Sequence, residues 1–158
     1  MKKRDFVYRA RVFVLCLLIV VLVSYFGSQF SVSVNSSWYD SIRPAITPPS
    51  FVFPIAWGIL YFLIALSLYF VWINSKSFAN RKQVALVYGA NLILNGLWTY
   101  LYFGLRNPLS GFIDIILIWI SIWLMIFVAY RIDKKAMWLL VPYLLWVSFA
   151  SVLNFMSI

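Results

Sequence analysis

The stretch FVFPIAWGILYFLIALSLYFVWI (residues 51–73) carries no charge and is apolar from end to end. Crossing the hydrocarbon core of a bilayer as a helix takes about 20 apolar residues, and this run meets that length. Lipid offers its backbone no water, so the N–H and C=O groups must pair within the segment, as a helix does. Four further runs read the same way, at about residues 12–30, 84–103, 111–130 and 136–156. The chain around them has 158 residues, 65% hydrophobic and 11% charged, with mean hydropathy +0.94. A soluble domain carries roughly 25% charged residues to face water. Here the missing solvent is lipid. The sequence predicts an all-α integral membrane protein, a five-transmembrane-helix bundle forming one domain over residues 1–158.

The connections support the count. Residues 29–50 are polar and rich in Ser, and end in Pro44, Pro48 and Pro49; residues 74–83 (NSKSFANRKQ) are basic. Residues 104–110 (GLRNPLS) make a tight turn with Gly104, Asn107 and Pro108 as breakers, and residues 131–135 (RIDKK) form the last link. With five spans, 11 of the 13 Lys and Arg fall on the side of the N-terminus, leaving Arg43 and Arg106 opposite. Short basic loops stay in the cytoplasm, so the N-terminus is expected inside and the C-terminus outside. A basic start before an apolar run also describes a signal peptide. This run is long for that role and no Ala-x-Ala-like site follows it, so a retained helix is expected.

Function classes narrow quickly. There is no His, and the single Cys16 lies in an apolar run, so a disulfide framework within the chain and most zinc or haem-histidine sites are excluded. No metal, no catalytic residue set and no bound cofactor are expected. The basic residues are scattered over short loops and form no face for nucleic acid; the lipid bilayer is the expected partner.

Polar side chains inside the spans are informative because each costs about 2.5–3.5 kcal/mol in lipid when ionised and so turns inward. Asp114 is the one acid within a span. Asn91 and Asn95 lie four apart on one helix face, with Trp98 three further on; Trp57 and Tyr61 are an i, i+4 pair; Pro142, Tyr143, Trp146, Ala150 and Asn154 recur at helical spacing. Chain direction puts Trp57, Asp114, Asn95, Trp98, Trp146 and Asn154 in the half of the bilayer beneath residues 29–50. An aromatic pocket there, with that connection as its lid, accounts for the pattern. The alternative is plain packing, since span amides often only bond neighbouring helices for about 0.6–2 kcal/mol. Ala85 and Gly89 form a small-xxx-small pair suited either to a homodimer contact or to close packing within the chain.

WYDSIRPAITPPSFVFPIAWGILYFLIALSLYFVW (residues 38–72), NLILNGLW (91–98) and VPYLLWVSFASVLN (141–154) together resemble the TspO/MBR family, the tryptophan-rich sensory proteins and translocator (peripheral benzodiazepine receptor) proteins. Asp114 falls where that family usually carries an aspartate. The resemblance implies a five-helix bundle, commonly a homodimer, binding porphyrin or haem and other flat hydrophobic molecules. Carried over by motif, the pocket residues are Trp38, Pro48, Pro49, Trp57, Tyr61, Asn91, Asn95, Trp98, Trp146 and Ala150. Where the family often has Gly-Pro before its second-helix tryptophan, this chain has Pro54, Ile55 and Ala56 before Trp57. Phe155 stands in place of the tyrosine of the cholesterol-type motif, with no basic residue after it, which argues for a prokaryotic cytoplasmic membrane. Three functions follow from the resemblance: binding and sensing of a tetrapyrrole, with Arg43 on the lid to meet a propionate; transport of porphyrin or lipid across the membrane; and light-dependent porphyrin breakdown. Binding fits the residues best.

Overall fold

The computed structural model describes residues 3–31 and 36–158, with backbone alone for Lys3 and Arg4. Its helices are α1 (Lys3–Ser28), α2 (Ser37–Ile42), α3 (Val52–Asn74), α4 (Phe78–Thr99), α5 (Pro108–Ile132) and α6 (Lys134–Phe155), and a π-helical turn, Tyr100–Gly104, prolongs α4. Among the described residues five segments are long and apolar enough to cross a membrane: Asp5–Ser28, Val52–Asn74, Phe78–Gly104, Pro108–Ile132 and Lys134–Phe155. The outward faces are apolar. Ile93 is 71% exposed, and Leu22 and Leu145 are each 65% exposed, which only a lipid solvent makes favourable. The protein is integral to the membrane.

The helices close into a ring. Going round it, α1 packs on α3, α3 on α6, α6 on α5, α5 on α4, and α4 back on α1. The centre of the half near the α3–α4 and α5–α6 connections is filled by Ile64, Val71, Val84, Ile122, Met125 and Leu140, all essentially inaccessible. Ser67 ties three helices there: its hydroxyl bonds the Tyr88 hydroxyl at 2.7 Å and donates to the Ala136 carbonyl at 2.9 Å. On the same pattern Trp119 Nε1 donates to Ser148 Oγ at 2.9 Å, joining α5 to α6.

Caps set the helix ends more tightly than the hydropathy does. α1 begins at Lys3, well before the apolar run, with Asp5 in its first turn where a carboxylate opposes the helix dipole. Ser77 caps α4 by accepting from Asn80 N at 3.1 Å, shortening the basic connection. Asp133 ends α5 and caps α6: its Oδ1 accepts from Lys135 N at 2.8 Å and Ala136 N at 3.4 Å, while its Oδ2 takes Asn74 Nδ2 at 2.6 Å. One residue thus fixes both connections on that side.

The opposite end departs from a simple turn. In the π turn Leu105 N bonds Tyr100 O at 2.8 Å, and the left-handed residue is Arg106 (φ 51°), not the expected breaker Gly104. Gly104 is needed for space: a Cβ there would lie 3.1 Å from the Tyr100 ring. Asn107 then caps α5, accepting from Ser110 N at 3.0 Å, with Pro108 at the first helical position where its missing N–H costs nothing. The connection 29–50 also holds a helix, α2, which has too few residues to show a period in the sequence. Ser36 caps it, and its buried Tyr39 packs on Phe103 at 5.6 Å between ring centroids.

Gly111 is the tightest approach near this end. A Cβ there would meet Tyr102 Cδ2 at 2.9 Å, Tyr102 Cβ at 3.0 Å and Asn154 Oδ1 at 3.2 Å. Gly111→Val therefore overpacks the contact of α5 with the π turn and with Asn154 of α6 and lowers stability by about 1–3 kcal/mol, read as a fall in the thermal unfolding midpoint in detergent micelles.

Candidate functional site

At the α2 end the ring does not fill. A cavity of about 460 Å³ lies there, within the range of small-molecule sites. Every spanning helix contributes to its wall. Phe53, Trp57 and Tyr61 come from α3, Asn95 and Trp98 from α4, Tyr102 and Phe103 from the π turn, Ile115 and Ile118 from α5, and Trp146, Ala150 and Asn154 from α6. α1 turns only Ser24, Gly27 and Ser28 toward it, small side chains that leave room, while Tyr39, Pro44, Thr47 and Ser50 close over the mouth.

The aromatic walls are braced ring against ring, by edge-to-face, tilted and stacked pairs. Trp57 leans on Tyr61 at 5.4 Å and on Tyr143 at 6.3 Å; Phe53 meets Trp146 at 6.0 Å and 73°. Across the cavity Trp98 stacks on Tyr102 at 5.2 Å and 19°, and Tyr102 meets Phe103 at 4.7 Å and 73°. Such pairs add about 0.5–1.5 kcal/mol beyond burial and hold each ring in one orientation. The Trp98 indole is fixed further, donating to Asn154 Oδ1 at 3.0 Å, while Asn154 Nδ2 donates to Pro108 O at 2.8 Å.

Beneath the cavity lies a knot of amides. Asn95 Nδ2 donates to Tyr143 Oη at 2.6 Å and to Asn91 O at 2.9 Å; Tyr143 Oη donates to Asn91 Oδ1 at 3.1 Å; Asn91 Nδ2 donates to Ser121 Oγ at 2.8 Å. Because the Asn95 nitrogen faces the Asn91 carbonyl, its Oδ1 is left as the acceptor that Asn95 offers to the cavity it lines. Trp146 Nε1 is buried without a hydrogen-bond partner.

Of the residues singled out in the sequence, Trp57, Tyr61, Asn95, Trp98, Trp146, Ala150 and Asn154 meet at this cavity. Asn91 lies behind it, wholly buried in the knot. Trp38 packs on the outer side of Tyr102 at 6.0 Å. Pro48 borders a smaller neighbouring pocket, and Pro49 is exposed. Asp114 is 3% exposed, away from the cavity wall, and its Oδ2 has no hydrogen-bond partner. Ala85 is exposed, and a Cβ on Gly89 would meet nothing within 4 Å, so among the described residues this small pair packs on no other helix. Sequence reasoning missed Tyr39, Tyr102, Phe103 and Phe53. For the first three the missing signal was the local geometry of α2 and the π turn. The small residues Ser24, Gly27 and Ser28, at i, i+3 and i+4, were a legible sign that α1 makes room.

The arrangement offers flat aromatic walls above a hydrogen-bonded amide floor, with few other polar handles. Among the described residues no group of three or more His, Cys, Asp or Glu comes together.

Residues 13–157 match the TspO/MBR family, a span that adds most of α1 to the stretches that carry the resemblance. The chain is 43% identical over 140 residues to the tryptophan-rich protein TspO of Archaeoglobus fulgidus, covering 88% of this chain and 90% of that one. It is 38% identical over 143 residues to the tryptophan-rich protein TspO of Chlorobaculum tepidum (89% and 90% covered). Similarity extends to the translocator protein of Bos taurus, at 29% over 140 residues (87% and 83% covered).

The knot makes one clear expectation. Tyr143→Phe removes the hydroxyl that joins both amides and lowers stability by about 0.6–1.7 kcal/mol, measured by thermal unfolding in micelles, with helix content unchanged by circular dichroism.

Proposed function

The chain belongs to the TspO/MBR family of membrane sensory and translocator proteins, and from that premise we propose that it binds a flat hydrophobic ligand of the porphyrin or haem type and reports its presence. The single observation that carries this reading is the 460 Å³ cavity walled by Trp57, Trp98, Tyr102 and Trp146 from three different stretches of chain. A planar tetrapyrrole would bury its faces on such walls and keep its polar edge toward the mouth. The two alternatives, transport and light-dependent breakdown of the ligand, use the same cavity and need steps that no feature of the wall favours over binding. The distribution of Lys and Arg supports an N-terminus inside and a cavity mouth outside, and Phe155 in place of the motif tyrosine supports a prokaryotic cytoplasmic membrane.

Titration with protoporphyrin, followed by its absorbance, tests the assignment. Trp57→Ala and Trp146→Ala each weaken binding about tenfold by removing a stacking wall. Trp123→Ala, at a residue 48% exposed on the outer face, leaves affinity unchanged. Equal affinity in all three variants would remove the cavity from the account.

We also propose a homodimer through the α4 face that carries Ala85 and Gly89. The open space beyond Gly89 and the exposure of Leu86 (62%) and Ile93 (71%) support it. Gly89→Leu is then expected to shift the protein from dimer to monomer in light scattering without lowering its unfolding temperature.

A further inference from the structure

The net charge of +9 is not spread over the molecule. Asp40 and Asp114 balance Arg43 and Arg106 at the cavity end, so the whole excess belongs to the end that carries the α3–α4 and α5–α6 connections. Only two carboxylates, Asp5 and Asp133, stand there against 11 Lys and Arg. Asp133 is already engaged with neutral donors, the backbone of α6 and the Asn74 amide.

Three of those cations are held in the same way. The Arg81 guanidinium lies over the Trp72 ring at 5.9 Å, the Arg131 guanidinium over Phe127 at 5.5 Å, and the Lys134 ammonium over Tyr130 at 5.4 Å. The three rings fall in the last two turns of α3 and α5, which puts the pairs at one level of the bundle. Phe127 and Tyr130 are exposed on the surface that lipid covers, and Trp138, four residues beyond Lys134 and also exposed, extends the band. None of the three cationic side chains makes a hydrogen bond or ion pair to another described residue.

A cation set on a ring face keeps its charge and sheds part of its water, so it attracts an anion more strongly than a fully hydrated one. The flat Arg fork matches two phosphate oxygens, and Lys adds a point charge. The exposed rings beneath continue into the apolar flank of α5 at Trp123 and Ile120, a surface for acyl chains. A choline headgroup would bring its own cation against the same side chains.

We propose that this end of the bundle binds anionic phospholipid, with Arg81, Arg131 and Lys134 meeting the headgroup phosphate and their rings seating it at the edge of the hydrocarbon. The site is independent of the cavity and lies at the opposite end.

Native mass spectrometry of the protein in a neutral detergent, with equal amounts of phosphatidylglycerol and phosphatidylcholine, tests it. The native protein should retain phosphatidylglycerol about tenfold over phosphatidylcholine at low salt, and less as salt rises. The triple variant Arg81→Gln, Arg131→Gln, Lys134→Gln should bring the two lipids within about twofold. Arg9→Gln, Arg11→Gln, Lys76→Gln removes the same charge at the same end from exposed positions that lie over no described ring, and should keep most of the preference. Phe127→Leu with Tyr130→Leu leaves every charge in place and should lower the preference about threefold. Equal retention of the two lipids by the native protein overturns the site. Equal loss in the two charge variants reduces it to diffuse attraction, and displacement of the lipid by an equal concentration of glycerol phosphate shows a free-anion site in its place; either result refutes the proposal.

Discussion

The amide knot of Asn91, Asn95, Tyr143 and Ser121 is the interaction on which the rest of the bundle depends. It ties α4, α5 and α6 through buried side chains. Each of its members is buried, and each bond inside it satisfies a group that would otherwise stand bare in a low dielectric. Apolar packing alone does not choose one helix arrangement in lipid, since the tails are as apolar as leucine. Directional bonds do. With these three helices fixed in azimuth, Asn95 and Trp146 are turned to the same side, and the space above the knot becomes a defined cavity.

Why that space stays open follows from the residues at its rim. Rings braced edge to face at 4.7–6.3 Å cannot collapse inward without losing their contacts. The π turn after α4 brings Tyr102 and Phe103 beside Trp98, and Gly111 lets α5 pass close behind Tyr102. α1 contributes small side chains on its inward face, so nothing from that side fills the gap. At the other end of the ring, branched aliphatic residues pack solidly around Ser67. One bundle thus has a dense half and a hollow half.

The connection 29–50 serves more than closure. α2 lays Tyr39 over the π turn, and the following prolines hold Thr47 and Ser50 between an apolar space below and a charged one above. Relatives of this chain carry the names tryptophan-rich sensory protein and translocator protein.

Much of this was legible from the sequence, because lipid imposes simple rules. Apolar length decides the spans, and the inward turn of costly polar groups picks out Asn95, Trp57 and Trp146. What hydropathy could not show was which inward groups bond each other and which face a void: Asn91 and Asn95 are equivalent by spacing, yet one is buried in the knot and the other lines the cavity. The tertiary structure alone decided that, since the difference arises from where Tyr143 and Ser121 arrive on other helices. It likewise decided α2, the π turn and the left-handed Arg106, which come from long-range packing and local hydrogen bonding with no periodic trace in the chain. The sequence by itself determined the number of spanning helices and the solvent; the contacts between helices determined the walls of the cavity.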